Sequence, residues 1–229
     1  MTTTATTTTA TPRGTRPPLL IPVLVFAALS VAYVAFNRST PQPAATGADV
    51  LAYAQANGTA IKWGAFLLLA SAIPLALVAA VLYRRLRALS ITAAASALTL
   101  VGGVLAAAAL TISAMFAWSG GRLPADTGSA LPRALADLSF LFGGPAYAVG
   151  FALLIVGISL PALSAGVLPR AAAWIGLALG AAGILSALTL LDPASAFGYL
   201  LPVVRFGGLI WLVFAAALLP GTRTPATTA

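Results

Sequence analysis

The chain has 229 residues, 60% of them hydrophobic and 7% charged, with a formal net charge of +8. A soluble domain carries about 25% charged residues, so this much apolar side chain, at a mean hydropathy of +1.02, needs a bilayer as part of its solvent. Cys, His and Glu are all missing, which excludes disulfides, thiolate nucleophiles, Cys/His zinc sites, His-ligated haem, Ser-His catalysis and a histidine proton switch.

Residues 1–18 are Thr- and Pro-rich, with too little apolar surface to fold, and are expected to be a disordered tail. Leu19–Phe36 reads as a first transmembrane helix that is not cleaved. It is longer than a signal-peptide core, and Asn37-Arg38 stands where a small-x-small cleavage site would follow; cleavage near Ala44-Ala45 is the alternative and would leave five spans. In the polar loop 37–61, Pro41, Pro43 and Gly47 break the first half. Ala48–Ala56 predicts a short helix on the membrane surface, with Val50, Leu51 and Tyr53 towards lipid and Asn57-Gly58 ending it.

The second span is predicted at 62–83, with Lys62 and Trp63 at one interface, Tyr83 at the other and a kink at Pro74. The cluster Arg84-Arg85-Leu86-Arg87 precedes a third span within 89–118. A second polar loop, 119–136, carries Gly120-Gly121, Pro124, Asp126, Gly128 and Pro132. The fourth span, 138–166, begins beside Asp137, is broken near its start by Gly143-Gly144-Pro145 and contains Pro161. The fifth, 171–191, follows the turn Val167-Leu168-Pro169-Arg170 and stops at Asp192-Pro193. The sixth, 199–219, holds Arg205 about two turns in, and 220–229 is a second polar tail expected to be disordered. The fold class is therefore all-α, an integral membrane bundle of about six transmembrane helices.

Basic residues set the orientation. With the N-terminus inside, Arg13, Arg16, Arg84, Arg85, Arg87, Arg170 and Arg223 are cytoplasmic, against Arg38, Lys62, Arg122 and Arg133 outside. Seven against four predicts N-in/C-in. Scattered in this way, the cations serve as topology signals and anionic-lipid contacts, and no nucleic-acid partner is expected. The Ala, Gly, Pro and Arg bias with a single Lys suggests a GC-rich bacterial genome. A weak repeat also shows: Ser-Ala-Leu-Thr-Leu stands at 96–100 and again at 186–190, so spans two and three could echo spans four and five.

Two constellations bear on function. The first is Asp137 with Arg205, beside Gly143, Gly144 and Pro145. An arginine inside a span pairs or snorkels, and the aspartates nearest Arg205 on the assigned side are Asp137 and Asp192. The bland reading is a structural ion pair or interfacial snorkelling with a helix kink. The sharper one is an anion, headgroup or proton site beside a broken helix. The second is the small-residue face Gly176, Gly180 and Gly183, which serves internal packing or a dimer seam. The hydroxyls Ser71, Thr99, Thr111, Ser113, Ser159, Ser186 and Thr189 are read as bonding to nearby carbonyls or helices.

Four segments carry a resemblance: IKWGAFLLLASAIPLALVAAVLYRRL (61–86), ALADLSFLFGGPAYAVGFALLIVGISLP (134–161), LPRAAAWIGLALGAAGILSAL (168–188) and LLPVVRFGGLIWLV (200–213). Across much of residues 60–215 the chain resembles a family of uncharacterised bacterial multi-pass membrane proteins, a domain of unknown function. The resemblance implies a bundle of about six helices in the cytoplasmic (inner) membrane. It implies no activity, so no catalytic residue is carried over.

The favoured reading is a non-enzymatic structural or regulatory protein that acts through helix and lipid contacts. The alternative is a small-solute or proton-linked transporter using the Asp137/Arg205 site. No catalytic residue, metal ligand or cofactor is expected. The expected partner is the lipid bilayer, with a homo-oligomer or another membrane protein left open.

Overall fold

The computed structural model describes residues 19–91, 93–192 and 195–219. The two tails expected to be disordered, 1–18 and 220–229, lie outside the described residues, as does Pro193 of the expected stop. Regular structure among the described residues is helical throughout: α1 (Leu20–Phe36), α2 (Gly47–Ala56), α3 (Gly58–Ala88), α4 (Ala93–Gly120), α5 (Ala130–Ala165), α6 (Arg170–Leu190) and α7 (Ala196–Leu218). Helices are forced on these sequences, because lipid offers no hydrogen bonds and each segment must satisfy its own backbone. The 5 helices α3 to α7 are long and apolar enough to cross a membrane. α1 is apolar but has 17 residues, the lower limit for a span. Large apolar side chains such as Ile73 and Ile210 point outward, 72% and 71% exposed, so the outer faces of the spans are suited to lipid. The protein is an all-α multi-pass membrane bundle.

α5 lies at the centre. It packs on α4 and α6, α4 packs on α3, α3 on α1, and α7 closes against α1 and α6. Phe26 of α1 meets Phe151 of α5 edge-on at 6.2 Å, and both rings are fully buried, so α1 is built into the core. α4 and α5 cross with their backbones almost touching: a Cβ on Gly150 would stand 2.6 Å from the Ala106 nitrogen, and one on Gly157 2.6 Å from the Thr99 nitrogen. The face Gly176, Gly180 and Gly183 of α6 lies against α5, where a Cβ on Gly183 would come 2.6 Å from Ala152 Cβ. A Cβ on Gly176 would in addition meet the Trp211 ring of α7 at 2.6 Å.

The ends of the bundle differ. Asn37, just past α1, packs on Gly64 early in α3, so the start of α1 lies towards the arginine turn. Arg85 Nη1 donates to the Leu219 carbonyl at 3.2 Å, which brings the end of α7 to the same side. The opposite end, the loop end, carries the segment 37–46, α2 and the 121–129 loop.

Several expected boundaries move. α3 continues four residues before Lys62 and five beyond Tyr83, because Arg84, Arg85 and Arg87 are good helix formers and can extend the helix past the apolar slab. α4 starts at Ala93 and not at Leu89. Leu89, Ser90 and Ile91 close the preceding helix: Ser90 adopts φ +58°, its N–H donates to the Arg87 carbonyl at 3.1 Å, and the Ile91 N–H returns to Leu86 at 3.1 Å. That is a Schellman stop with serine in the seat usually held by glycine. α5 starts at Ala130, eight residues before the expected 138. Pro132, read from sequence as a loop residue, sits in the first turn, where its missing N–H costs nothing. The fifth and sixth spans shift by one residue and by up to three. The repeated Ser-Ala-Leu-Thr-Leu is α-helical at 96–100 and 3-10 at 186–190, so the two copies do not share a conformation.

Candidate functional site

A cavity of about 400 Å³ opens at the loop end, between α1, α4, α5 and α7 and beneath α2 and the segment 37–46. Val50 and Tyr53 of α2, expected to face lipid, line this cavity instead. The orientation of α2 has a local cause. Thr46 and Asp49 form a capping box that fixes the start of α2, with Asp49 N–H donating to Thr46 Oγ1 at 3.2 Å. Gly47 then backs directly onto the Ser129 carbonyl, so α2 lies over the start of α5 and turns Val50 and Tyr53 towards the bundle.

Gly143-Gly144-Pro145, expected to break the fourth span, does not break it. α5 runs through this point and widens into a π turn over Phe142–Ala146. Proline has no N–H and its ring crowds the preceding turn; the wider turn accommodates both. The Tyr147 N–H reaches the carbonyls of Phe142 and Gly144, and the carbonyl between them, that of Gly143, accepts a hydrogen bond from Arg205 Nη2 at 3.3 Å. Arg205 itself sits in a second π turn, Val203–Gly207 of α7, directly after Pro202. Turns of this kind are rare and recur at functional sites. Both border the cavity.

Arg205 and Asp137 do not pair. Asp137 is held by Arg133, one turn earlier on α5: Nη2 to Oδ1 is 2.5 Å and Nε to Oδ2 is 3.0 Å. The (i, i+4) spacing on one helix face and the forked guanidinium make Arg133 the natural partner. Asp137 also lies six residues from Gly143 along α5, about 9 Å at 1.5 Å per residue. Arg133 donates further to the Ala45 carbonyl at 2.7 Å and to the Pro43 carbonyl, and so pins the segment 37–46 to α5 at the mouth of the cavity.

Arg205 is half-buried deeper in the cavity. Its guanidinium carbon lies 5.0 Å from the Tyr147 ring centre and 5.4 Å from that of Tyr33. Among the described residues it forms no ion pair. Phe116, Phe140 and Phe206 supply apolar wall, and Phe116 stacks on Phe142 at 6.0 Å. Ser113 of α4 donates to the Ser139 carbonyl of α5 at 2.7 Å, and a Cβ on Gly143 would stand 2.5 Å from the same Ser113 hydroxyl. Gly144 has more room, with Leu201 Cδ1 3.4 Å from its ideal Cβ. The arrangement can hold an acceptor-rich or anionic group on Arg205 beside an apolar wall. Asp137 is engaged by Arg133 and Asp49 caps α2; among the described residues no three His, Cys, Asp or Glu gather.

Removing the Ser113 hydroxyl tests how the π turn is supported. Ser113→Ala is expected to cost about 0.6 kcal/mol, the mean for a hydrogen bond between membrane helices, as a small fall in the thermal midpoint. A loss several times larger would show that Ser113 bears more than this one bond.

The sequence pointed to Arg205, Asp137, Gly143, Gly144 and Pro145 but paired them wrongly, and it missed Arg133. The signal for Arg133 was present as an Arg-x-x-x-Asp spacing on a helix face. No protein-family model matches the chain, and no curated protein or solved structure matches it significantly.

Proposed function

We propose that the protein is a non-enzymatic membrane protein that binds a small molecule in the cavity at its loop end, with that end facing out of the cell across the cytoplasmic membrane. The observation that carries this reading is Arg205. A charged side chain within a span is costly and marks a site by default, and this one points its guanidinium at a carbonyl and two rings rather than at a carboxylate. The cavity has the size of a small-molecule pocket, about 300–1,000 Å³. A transporter would in addition need a route through the arginine-turn half, where Leu82, Leu86, Ile155 and Ile158 are fully buried. The orientation rests on Arg84, Arg85, Arg87 and Arg170 at the opposite end.

Because the chain has no cysteine, a single introduced thiol reports accessibility cleanly. In intact cells, a membrane-impermeant thiol reagent should label Ala117→Cys on the cavity wall. Ala88→Cys, at the other end, should react only after the cells are permeabilised. The reverse pattern would invert the orientation. An Ala117→Cys protein that is folded yet inert from both sides would remove the cavity as a binding site.

A further inference from the structure

The chemistry of the cavity wall narrows the ligand, given the binding role proposed above. The walls carry three charges. Arg133 and Asp137 cancel in a forked pair at the mouth, which leaves Arg205 as the net charge of the interior. A guanidinium has five N–H donors, and the hydrogen bond to Gly143 is long, at 3.3 Å. None of its nitrogens is enclosed without a partner: the fully buried, unbonded side-chain atoms among the described residues belong to Ser159, Thr189 and Ser195. Donors that protein leaves unused are therefore accessible, on a residue that lines the cavity. Around them the wall is aromatic, with Tyr33, Tyr147, Phe116, Phe140 and Phe206. From Arg205 the cavity extends about 9 Å along α5 to the neutral Arg133–Asp137 pair.

We propose that the cavity binds a monoanionic amphiphile, its acid group on Arg205 and its apolar body along the aromatic wall. One positive charge in a poorly solvated site favours one negative charge. A cation would meet Arg205 with nothing to offset it, and a neutral amphiphile would leave the donors unpaired. The acid head could belong to a free carboxylate or to an anionic lipid; the chemistry at Arg205 is the same, and the experiment separates the two.

The full chain carrying Ala117→Cys, in phosphatidylcholine nanodiscs at pH 8, is treated with a thiol reagent in the presence of decanoate, decanol or decyltrimethylammonium. Decanoate should slow labelling at a concentration about tenfold or more below that needed for decanol, as one charge-assisted contact is worth, and decyltrimethylammonium should not protect. Adding Arg205→Gln should abolish the preference for decanoate. Should that variant not fold, the comparison of the three probes on the Ala117→Cys protein decides alone. If discs containing phosphatidylglycerol protect without decanoate, the anion is a lipid; if they do not while decanoate does, it is a soluble acid. Equal protection by all three probes would overturn the anionic class and leave the binding role standing. No protection by any of them, with the thiol reactive, would overturn both.

Discussion

Replacing Gly150 by leucine is expected to destroy the bundle, not merely to loosen it. Gly150 lies where α5 crosses α4, and its ideal Cβ is 2.6 Å from the Ala106 nitrogen, 3.0 Å from the Ala106 Cα and 3.1 Å from the Gly102 carbonyl oxygen. All three are backbone atoms of a helix, so no side chain can rotate out of the way. Relief requires α4 and α5 to separate, and α5 holds the centre of the bundle together with both faces of the site. Overpacking costs about 1–3 kcal/mol when side chains can adjust. With backbone as the obstacle the upper end, about 3 kcal/mol or more, is expected, against a total stability of about 5–15 kcal/mol. Purified Gly150→Leu should show a large fall in thermal midpoint and loss of a single symmetric peak on size exclusion. Gly144→Ala is the matched control: its Cβ meets only the end of Leu201 at 3.4 Å and Phe140 at 3.5 Å, so stability should stay within about 0.5 kcal/mol. A Gly150→Leu protein as stable as the parent would contradict the α4–α5 crossing.

Removing the Arg133 guanidinium should free the cover of the cavity while leaving the membrane core intact. Arg133 joins three partners, the Asp137 carboxylate and the carbonyls of Ala45 and Pro43. It is 29% exposed at the side chain, so the ion pair itself contributes little to stability. Its hydrogen bonds to the two carbonyls carry the geometry, and a charge-assisted bond is worth about 1.5 kcal/mol at the low end. Losing that much from the segment 37–46 alone raises its open population about tenfold. A thiol at Ala54→Cys, buried where this cover meets the bundle and on the cavity lining, should therefore react about tenfold faster in an Arg133→Met background, with little change in global melting. Arg133→Lys should behave similarly, because an ammonium cannot reproduce the fork that reaches Asp137 and two carbonyls together. Unchanged reactivity in both variants would show that the capping box and the seat of Gly47 hold the cover without Arg133.

Membrane-protein character, helical class and the order of the apolar segments were legible because they follow from composition and run length, which need no knowledge of neighbours. The stop at Ser90 was not legible. A serine at φ +58° is unusual enough that only the surrounding hydrogen bonds, with Leu86 and Ile91 buried on either side, make it favourable. The early start of α5 was hidden for the opposite reason: proline is compatible with both a loop and a first helical turn, and the sequence around Pro132 does not choose. Arg205 stood out because a cation inside an apolar run is costly wherever it points.

By itself the sequence determined that the chain lives in a bilayer, that its elements are helices, and that thiol and imidazole chemistry are closed to it, since hydropathy and residue type are local properties. Only the tertiary structure decided that Asp137 belongs to Arg133 and not to Arg205, that Gly143-Gly144-Pro145 widens its helix instead of breaking it, and that Val50 and Tyr53 of α2 line a cavity instead of facing lipid. Each of these depends on which groups converge from distant parts of the chain. Partner choice among a handful of charges is set by helix depth and rotation, and those angles are fixed by the glycine-to-backbone contacts of α4, α5 and α6, which no single segment encodes.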